Sequence, residues 1–245
     1  MDSGYYAAVS GWVARTQAID TAAANLANAQ TPGYRAERAY FQSVLAAEDA
    51  ETSQVGKAVN RFGLVGGSRL SFAQGPLRKT GNPLDIAIEG EGFFAIQTAK
   101  GIHFTRDGNF HRSQIGTLVT AAGEPVLSQT KQPIAIPSGE VAIGSEGALS
   151  VAGAVFGNLG IFGLADEKEL KAEGANRYAV PEGAGLSQSQ RYVIHQGELE
   201  SSNQDVIRGS LDLLTMQRQT EMMQKALMMF HTEFNKTASE DLPRL

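Results

Sequence analysis

Apolar residues recur along this chain with two different periods, and the period changes twice. Near the N-terminus Tyr5, Val9, Trp12, Thr16, Ile19, Ala23 and Leu26 follow 4-3-4-3 spacing, which lines one largely apolar stripe along a helix. Asp2 or Ser3 can cap its start, and Thr31-Pro32-Gly33 ends it. Toward the other end Val206, Leu213, Met216, Met223, Leu227, Phe230 and Phe234 form a heptad stripe, interrupted in phase by Gly209 and Thr220. Ser201-Ser202-Asn203 supplies N-cap candidates for that helix, with Asp205 expected inside its first turn. In between, apolar runs are short and set between turns. Phe93-Phe94-Ala95-Ile96-Gln97 and Ile102-His103-Phe104-Thr105 flank Thr98-Ala99-Lys100-Gly101 as a hairpin. Val141-Ala142-Ile143-Gly144 and Ala148-Leu149-Ser150-Val151 flank Ser145-Glu146-Gly147 as another, and Asp107-Gly108-Asn109 and Ala122-Gly123-Glu124-Pro125 are further turns.

Proline and glycine placement sharpens this division. The eight prolines stand at 32, 76, 83, 125, 133, 137, 181 and 243, and 23 of the 27 glycines lie between Gly56 and Gly197. Both ends can therefore be helical while the middle is turn-rich. The expected class is α+β: N- and C-terminal helices packed together in coiled-coil fashion, plus a central antiparallel β-rich domain. Residues 1–35 and 200–245 form the helical assembly domain, 36–80 an extended connector and 81–199 the β-domain. Within the connector Glu48–Gln54 and Gly63–Gly67 look irregular, whereas Phe41, Val44 and Leu45 could prolong helical structure. A seamed helix is marginal alone in water, so each seam needs a partner.

Composition removes several functions. The formal charge of −5 comes without a basic block, so the clustered positive footprint of nucleic-acid binding is missing. No cysteine is present, which excludes disulfides, thiolate metal sites and a cysteine nucleophile. No apolar stretch is long enough for an integral membrane segment, and the N-terminal residues lack the basic start and apolar run of a cleavable signal peptide.

Candidate chemistry is sparse. Gly90-Glu91-Gly92-Phe93-Phe94-Ala95 satisfies G-x-G-x-x-A, but a dinucleotide site needs a helix at those glycines, and the following residues read as a strand. His103, His111, His195 and His231 lack metal-ligand spacing, and no metal or other cofactor is expected. Asp85, Glu89 and Glu91 would share one face of a regular strand, as an acid/base pair or as ordinary solvent-facing carboxylates. Of five methionines in the C-terminal helix, Met216 and Met223 fall on the seam and Met222, Met228 and Met229 widen it, either as ordinary helix core or as an adaptable surface for more than one partner. Asn25 and Asn28 either weaken the helix end or fix register between packed helices.

The ordered motifs resemble the bacterial flagellar basal-body rod and hook family. Asn25-Leu26-Ala27-Asn28-Ala29-Gln30-Thr31-Pro32-Gly33-Tyr34 is similar to that family's signature after its first helix. Thr80-Gly81-Asn82-Pro83-Leu84-Asp85-Ile86-Ala87-Ile88-Glu89-Gly90-Glu91-Gly92-Phe93-Phe94 resembles its central motif. Thr105-Arg106-Asp107-Gly108-Asn109-Phe110 and Leu118-Val119-Thr120 follow in order, then Gln196-Gly197-Glu198-Leu199-Glu200-Ser201-Ser202-Asn203 before the last helix, with Gln217-Arg218 inside it. Gln204 departs from the family's usual valine, and Arg208-Gly209-Ser210 from a more acidic stretch.

The resemblance implies a structural, non-enzymatic axial subunit, and the length suits the rod better than the longer hook and junction proteins. Its partners would be copies of itself, other rod subunits and the flagellar type III export apparatus, which carries it without a signal peptide. It would cross the periplasm within the basal body and transmit torque from motor to hook. A different class, a secreted oligomeric binding module, stays open on the residues alone.

Overall fold

In the computed structural model the backbone is described for residues 2–42, 64–164, 170–181 and 185–240, and side chains for 9–40, 67–163, 170–181, 185–229 and Thr232. Two compact units result. A helical unit comprises Met1–Ala27, Glu37–Arg69 and Val206–Leu245; a β unit comprises Asn28–Ala36 and Leu70–Asp205.

In the helical unit, α1 (Asp2–Ala27) packs on α2 (Val206–Glu240). The 35 residues of α2 extend over about 50 Å at 1.5 Å per residue. Its packed face is buried at Gly209 and half-buried at Leu213, Met216, Thr220, Met223, Ala226 and Leu227. Val206 lies outside that face and is exposed. On α1 the buried positions are Gly11, Ala14, Ala18 and Asn25, with Val9, Trp12, Ile19 and Leu26 half-buried beside them. The deepest line on α1 thus runs through small residues next to the apolar stripe read from spacing. Small residues let two helix backbones approach closely, which pushes bulky side chains to the flanks of the contact. Arg15 closes one flank, with Nη1 3.5 Å from Met223 Sδ. Tyr5, Phe230 and Phe234 lie outside the residues whose side chains are described.

The expected connector over 36–80 is structured in its described parts. Glu37–Gln42 (β1) and Leu64–Leu70 (β2) pair as a two-stranded sheet. Phe41 therefore sits in a strand, not a helix; Val44, Leu45 and Glu48–Gln54 lie outside the described residues. Ser68 Oγ donates to Glu37 Oε2 (2.7 Å), and the Arg69 guanidinium stands 4.5 Å from the Tyr40 ring centroid.

The β unit carries β3 (Leu77–Lys79), β4 (Ile86–Gly90), β5 (Phe93–Thr98), β6 (Gly101–Thr105), β7 (Phe110–Arg112), β8 (Leu118–Thr120), β9 (Val141–Ile143), β10 (Ala148–Val151) and β11 (Ala154–Asn158). It continues with β12 (Ile161–Leu164), β13 (Lys171–Ala172), β14 (Tyr178–Ala179), β15 (Leu186–Gln188), β16 (Tyr192–Gln196) and β17 (Glu198–Glu200). The main sheet has the order β13-β14-β6-β5-β12-β15, and neighbouring strands in it run antiparallel. A three-stranded sheet β11-β10-β9 and the pairs β16-β4, β17-β3 and β7-β8 complete it.

Strand β5 explains the core. Side chains alternate between faces along a strand, yet Phe93, Phe94, Ala95 and Ile96 are all buried. Phe94 and Ile96 enter one cluster with Ile86, Phe110, Leu118 and Leu149; Phe93 and Ala95 enter a second with Phe104, Phe162 and Tyr178. A continuous apolar run is what a strand covered on both faces requires. The Phe94–Phe110 rings meet edge-to-face at 5.0 Å and Phe93–Tyr178 at 5.7 Å. Burying each such side chain contributes about 1.5–3 kcal/mol. After Gly90-Glu91-Gly92 the chain continues as strand, so no helix N-terminus faces those glycines.

Candidate functional site

Five widely separated sequence motifs meet inside the β unit. After Ala27 the chain turns sharply: the Thr31 N–H donates to the Asn28 carbonyl (3.1 Å), Thr31 Oγ1 bonds Asn28 Oδ1 (3.3 Å), and the Tyr34 N–H reaches the Thr31 carbonyl (3.3 Å). Gly33 takes φ +67°, and a Cβ there would overlap the backbone of Arg106 and Asp107. Its N–H donates to the Glu200 carbonyl at 2.7 Å. The turn is thereby pressed between the end of β6 and the end of β17.

A buried ion triad forms the centre. Glu200 Oε1 lies 2.9 Å from Arg35 Nη1 and Glu200 Oε2 3.2 Å from Arg106 Nη1, with side chains 1%, 2% and 3% exposed respectively. Backbone groups supply further partners to all three side chains. The Gly75 N–H donates to Glu200 Oε1 (2.9 Å), Arg106 donates to the carbonyls of Ile88 (3.1 Å) and Gly90 (2.6 Å), and Arg35 donates to that of Ala73. Arg106 also stands 5.1 Å from the Phe93 ring centroid. One carboxylate thus ties four chain segments, and the two guanidinium groups leave the triad with a net positive charge. Burial pushes the nearby Tyr178 phenol up to about 12, although the Arg35 charge and backbone N–H pull the other way.

The central motif interlocks with the same place. Gly197 receives the N–H groups of Thr80 (2.8 Å) and Gly81 (3.1 Å) on its carbonyl and donates its own N–H to the Asp85 carbonyl (2.8 Å). The Ile86 N–H bonds the Gly108 carbonyl (3.0 Å), and a Cβ at Gly108 would overlap the Ile86 carbonyl oxygen. Asn82 Nδ2 donates to Asp85 Oδ1 at 2.9 Å. Asp107 accepts from the Asn109 N–H (3.0 Å); burial holds its carboxyl above the usual 3.8, with that bond opposing and the Asp85 charge adding to the rise. Leu199, Phe93, Phe94 and Phe110 anchor the motif strands in the core.

Along its whole length, the chain is 33% identical to the flagellar basal-body rod protein FlgF of Caulobacter vibrioides, covering 100% of both chains. The chain belongs to the flagellar basal-body rod family. The family model described as "Flagella basal body rod protein" matches residues 6–35, most of α1 and the Thr31-Pro32-Gly33-Tyr34 turn. The "Flagellar hook protein FlgE/F/G D1 domain" model matches residues 87–151, from β4 to β10. FlgF of Mesorhizobium japonicum is 33% identical over 90% of each chain, and FlgG of Bacillus subtilis 29% identical over 87% of this chain and 89% of its own.

In this rod-family fold the motif residues Thr31, Pro32, Gly33, Tyr34, Gly81, Asp85, Gly90, Gly92, Phe93, Phe94, Arg106, Asp107, Gly108, Phe110, Gly197, Leu199 and Asn203 all fall in the β unit, whereas the helix seam residues fall in the other, except Asn28, which lies just past the end of α1 and belongs to the β unit. Asn203 does not cap α2. The helix starts at Val206, directly after Asp205, while the Asn203 amide donates to the carbonyls of Ser71 (2.8 Å) and Ala73 (2.9 Å) and accepts from the Ala36 N–H (2.7 Å). Asn25 likewise bonds backbone: Nδ2 donates to the Glu37 carbonyl (2.6 Å) and Oδ1 accepts from the Glu37 N–H (2.9 Å).

The carboxylates Asp85, Glu89 and Glu91 do not converge. Asp85 is buried on Asn82, Glu89 Oε2 pairs with His195 (2.7 Å), and Glu91 faces Arg191 at 4.0 Å. His103 is buried against Glu173 (3.2 Å) and Thr98 (2.9 Å). Among the described residues no group of His, Asp or Glu could hold a metal, and no helix is long and apolar enough to cross a membrane. Spacing along the chain does not mark Arg35 or Glu200 as site residues. Arg35 directly follows the Thr31–Tyr34 turn, and Glu200 shares its stretch with Glu198, so charge alone singles out neither.

Proposed function

We propose that this chain is a structural subunit of the flagellar basal-body rod, assembling through its two helices with copies of itself and with other rod subunits. Family membership supports the rod role. The carrying structural observation is the surface left on α2 once α1 is packed. Ile207, Leu211, Leu214, Met222 and Met229 remain 53–73% exposed. Transferring a Leu-sized side chain from water to an apolar contact contributes about 1.5–3 kcal/mol, so such a face favours further helices. Open repetition of that contact extends a filament instead of closing a dimer.

On this reading Val9, Trp12, Ile19, Leu26, Leu213, Met216, Met223 and Leu227 serve the packing within the subunit, and Val206 joins the outer apolar face. Torque passes through many such contacts in parallel from motor to hook. The subunit is delivered across the inner membrane by the type III export apparatus and stands in the periplasmic part of the rod. The full-length FlgF-like identity favours the proximal segment of the rod over the distal one. No reaction is assigned. The large aromatic side chains of the β unit enter its cores instead of lining a ligand surface, which disfavours a binding module.

Deletion of the gene followed by basal-body microscopy and swimming assays tests the reading. The expected result is loss of complete rods and of motility, restored by the intact gene; intact rods in the deletion strain would falsify it.

A further inference from the structure

Helix α2 carries methionine on two of its faces, and the two groups stand in different surroundings. Met216 and Met223 lie on the face packed against α1 and are half-buried. Arg15 Nη1 stands 3.5 Å from Met223 Sδ, close enough to donate a hydrogen bond to a sulfur lone pair. Met222 and Met229 lie on the other side of the helix, 62% and 63% exposed. Seven positions separate them, about two helical turns, so they share a face. Leu211 falls about three turns before Met222, and Ile207 about one turn before that, which puts all four exposed side chains on one stripe. Met228 is exposed at its edge.

A thioether is soft and polarizable, and its reaction with a peroxide requires only that a sulfur lone pair reach the oxidant. Sulfur attacks one oxygen of hydrogen peroxide. The S–O bond forms as the O–O bond breaks, and the departing hydroxide takes the proton left on the new oxygen. One methionine and one peroxide thus give one sulfoxide and one water, with sulfur losing the two electrons that the peroxide gains. Exposure opens this path at Met222 and Met229. At Met223 the Arg15 N–H engages a lone pair and α1 covers part of the side chain, so both access and nucleophilicity are lower. The product is polar, and burying its S–O dipole without a partner against an apolar helix is unfavourable.

We propose that Met222 and Met229 are oxidation sites of the unassembled subunit, at which a peroxide-class oxidant forms sulfoxides and withdraws the outer stripe of α2 from assembly. The inference rests on the reading of that stripe as a subunit contact. Met216 and Met223 keep α1 and α2 together, so the oxidised chain stays folded while losing its neighbours. Sulfoxide is reduced back to the thioether by dedicated reductases, which makes the block reversible. Incorporation into the rod closes the window, because the same sulfurs are then covered.

Purified full-length monomer and isolated basal bodies are each treated with hydrogen peroxide, and sulfoxide is read peptide by peptide as a gain of about 16 Da. In the monomer Met222 and Met229 should oxidise ahead of Met216 and Met223; in basal bodies their oxidation should be suppressed. Equal rates at all four sulfurs of the monomer, or undiminished oxidation of Met222 and Met229 in the rod, overturn the proposal. In a strain lacking its own gene, Met222→Gln/Met229→Gln places polar side chains of similar length at both sites, and Met222→Leu/Met229→Leu keeps them apolar. The leucine pair is expected to restore swimming, and the glutamine pair to lose it while its purified monomer keeps the wild-type helical circular dichroism. Wild-type swimming by the glutamine pair, or loss of swimming by the leucine pair, overturns the proposal. Should the glutamine pair fail to fold, Met229→Gln alone is expected to reduce swimming, and an unchanged swimming rate overturns the proposal. A deletion strain that swims without complementation sinks the rod reading instead, and the order of oxidation in the monomer then decides alone whether Met222 and Met229 are the oxidation sites.

Discussion

Substitution of Glu200 by alanine gives the sharpest test of how the motifs hold the β unit together. The change removes the carboxylate that faces Arg35 and Arg106, at 2.9 and 3.2 Å, and the acceptor of the Gly75 N–H. Both guanidinium groups keep backbone carbonyls, from Ala73 for Arg35 and from Ile88 and Gly90 for Arg106. Neither keeps a counter-charge in this triad, and with side chains 2% and 3% exposed they have little access to water. Removing one partner from a buried ion pair costs about 3–5 kcal/mol. A domain of roughly 150–250 residues loses about 2–4 °C of melting temperature per kcal/mol, so the drop should be about 6–20 °C. Glu200→Gln keeps the shape and an oxygen for Gly75 and should fall between. Replacing all three residues together, Arg35→Met, Glu200→Leu and Arg106→Met, leaves no buried charge and should cost less than Glu200→Ala alone. Calorimetry on the purified chain reads the β unit, while fluorescence of Trp12, the single tryptophan, reports the helical unit separately. A Glu200→Ala melting temperature within about 2 °C of wild type would refute the reasoning.

Three further outcomes are expected. Gly108→Ala should abolish folding of the β unit, because its Cβ meets the Ile86 carbonyl, whereas Gly81→Ala, at φ +77° with nothing within 4 Å, should cost about 1–2 kcal/mol by denaturant unfolding. Asp107 has a folded-state pKa raised by burial, so its contribution is present below the usual 3.8 and is lost as pH rises through the higher folded value. Asp107→Asn should therefore flatten the stability–pH curve in that window and raise stability at pH 7; an unaltered curve contradicts the assignment. Leu211→Glu, on the exposed face of α2, should leave the monomer's stability to denaturant within about 0.5 kcal/mol of wild type yet block rod assembly. Normal rods with that variant would place the subunit contacts elsewhere.

Much of this protein follows from local pattern. The 3.6-residue period at both ends produced two helices, and the run Phe93-Phe94-Ala95-Ile96 produced a strand covered on both faces, because periodicity is a property of neighbouring residues. Turn chemistry did the same for the hairpin at Ala99-Lys100, where Thr98 pairs with Gly101. What spacing alone left undecided is long-range. It offered Asn203, beside Ser201 and Ser202, as an N-cap candidate and weighed Asn25 between helix weakening and seam register, since nothing local tells which backbone an amide will find. Residues 36–80 read as a connector because the partner of β3 lies more than a hundred residues away, in β17. The α1 line shifted to Gly11, Ala14 and Ala18 because the separation of two packed helices depends on both faces at once. Arg35 and Glu200 passed unnoticed for the same reason: a charge is recognisable as buried only when the segments that desolvate it are assembled. Sequence by itself determined the elements and, through their ordered motifs, the family. Tertiary structure decided which motif residues bond one another, because hydrogen bonds and ion pairs between distant segments depend on three-dimensional distance, which spacing along the chain does not encode.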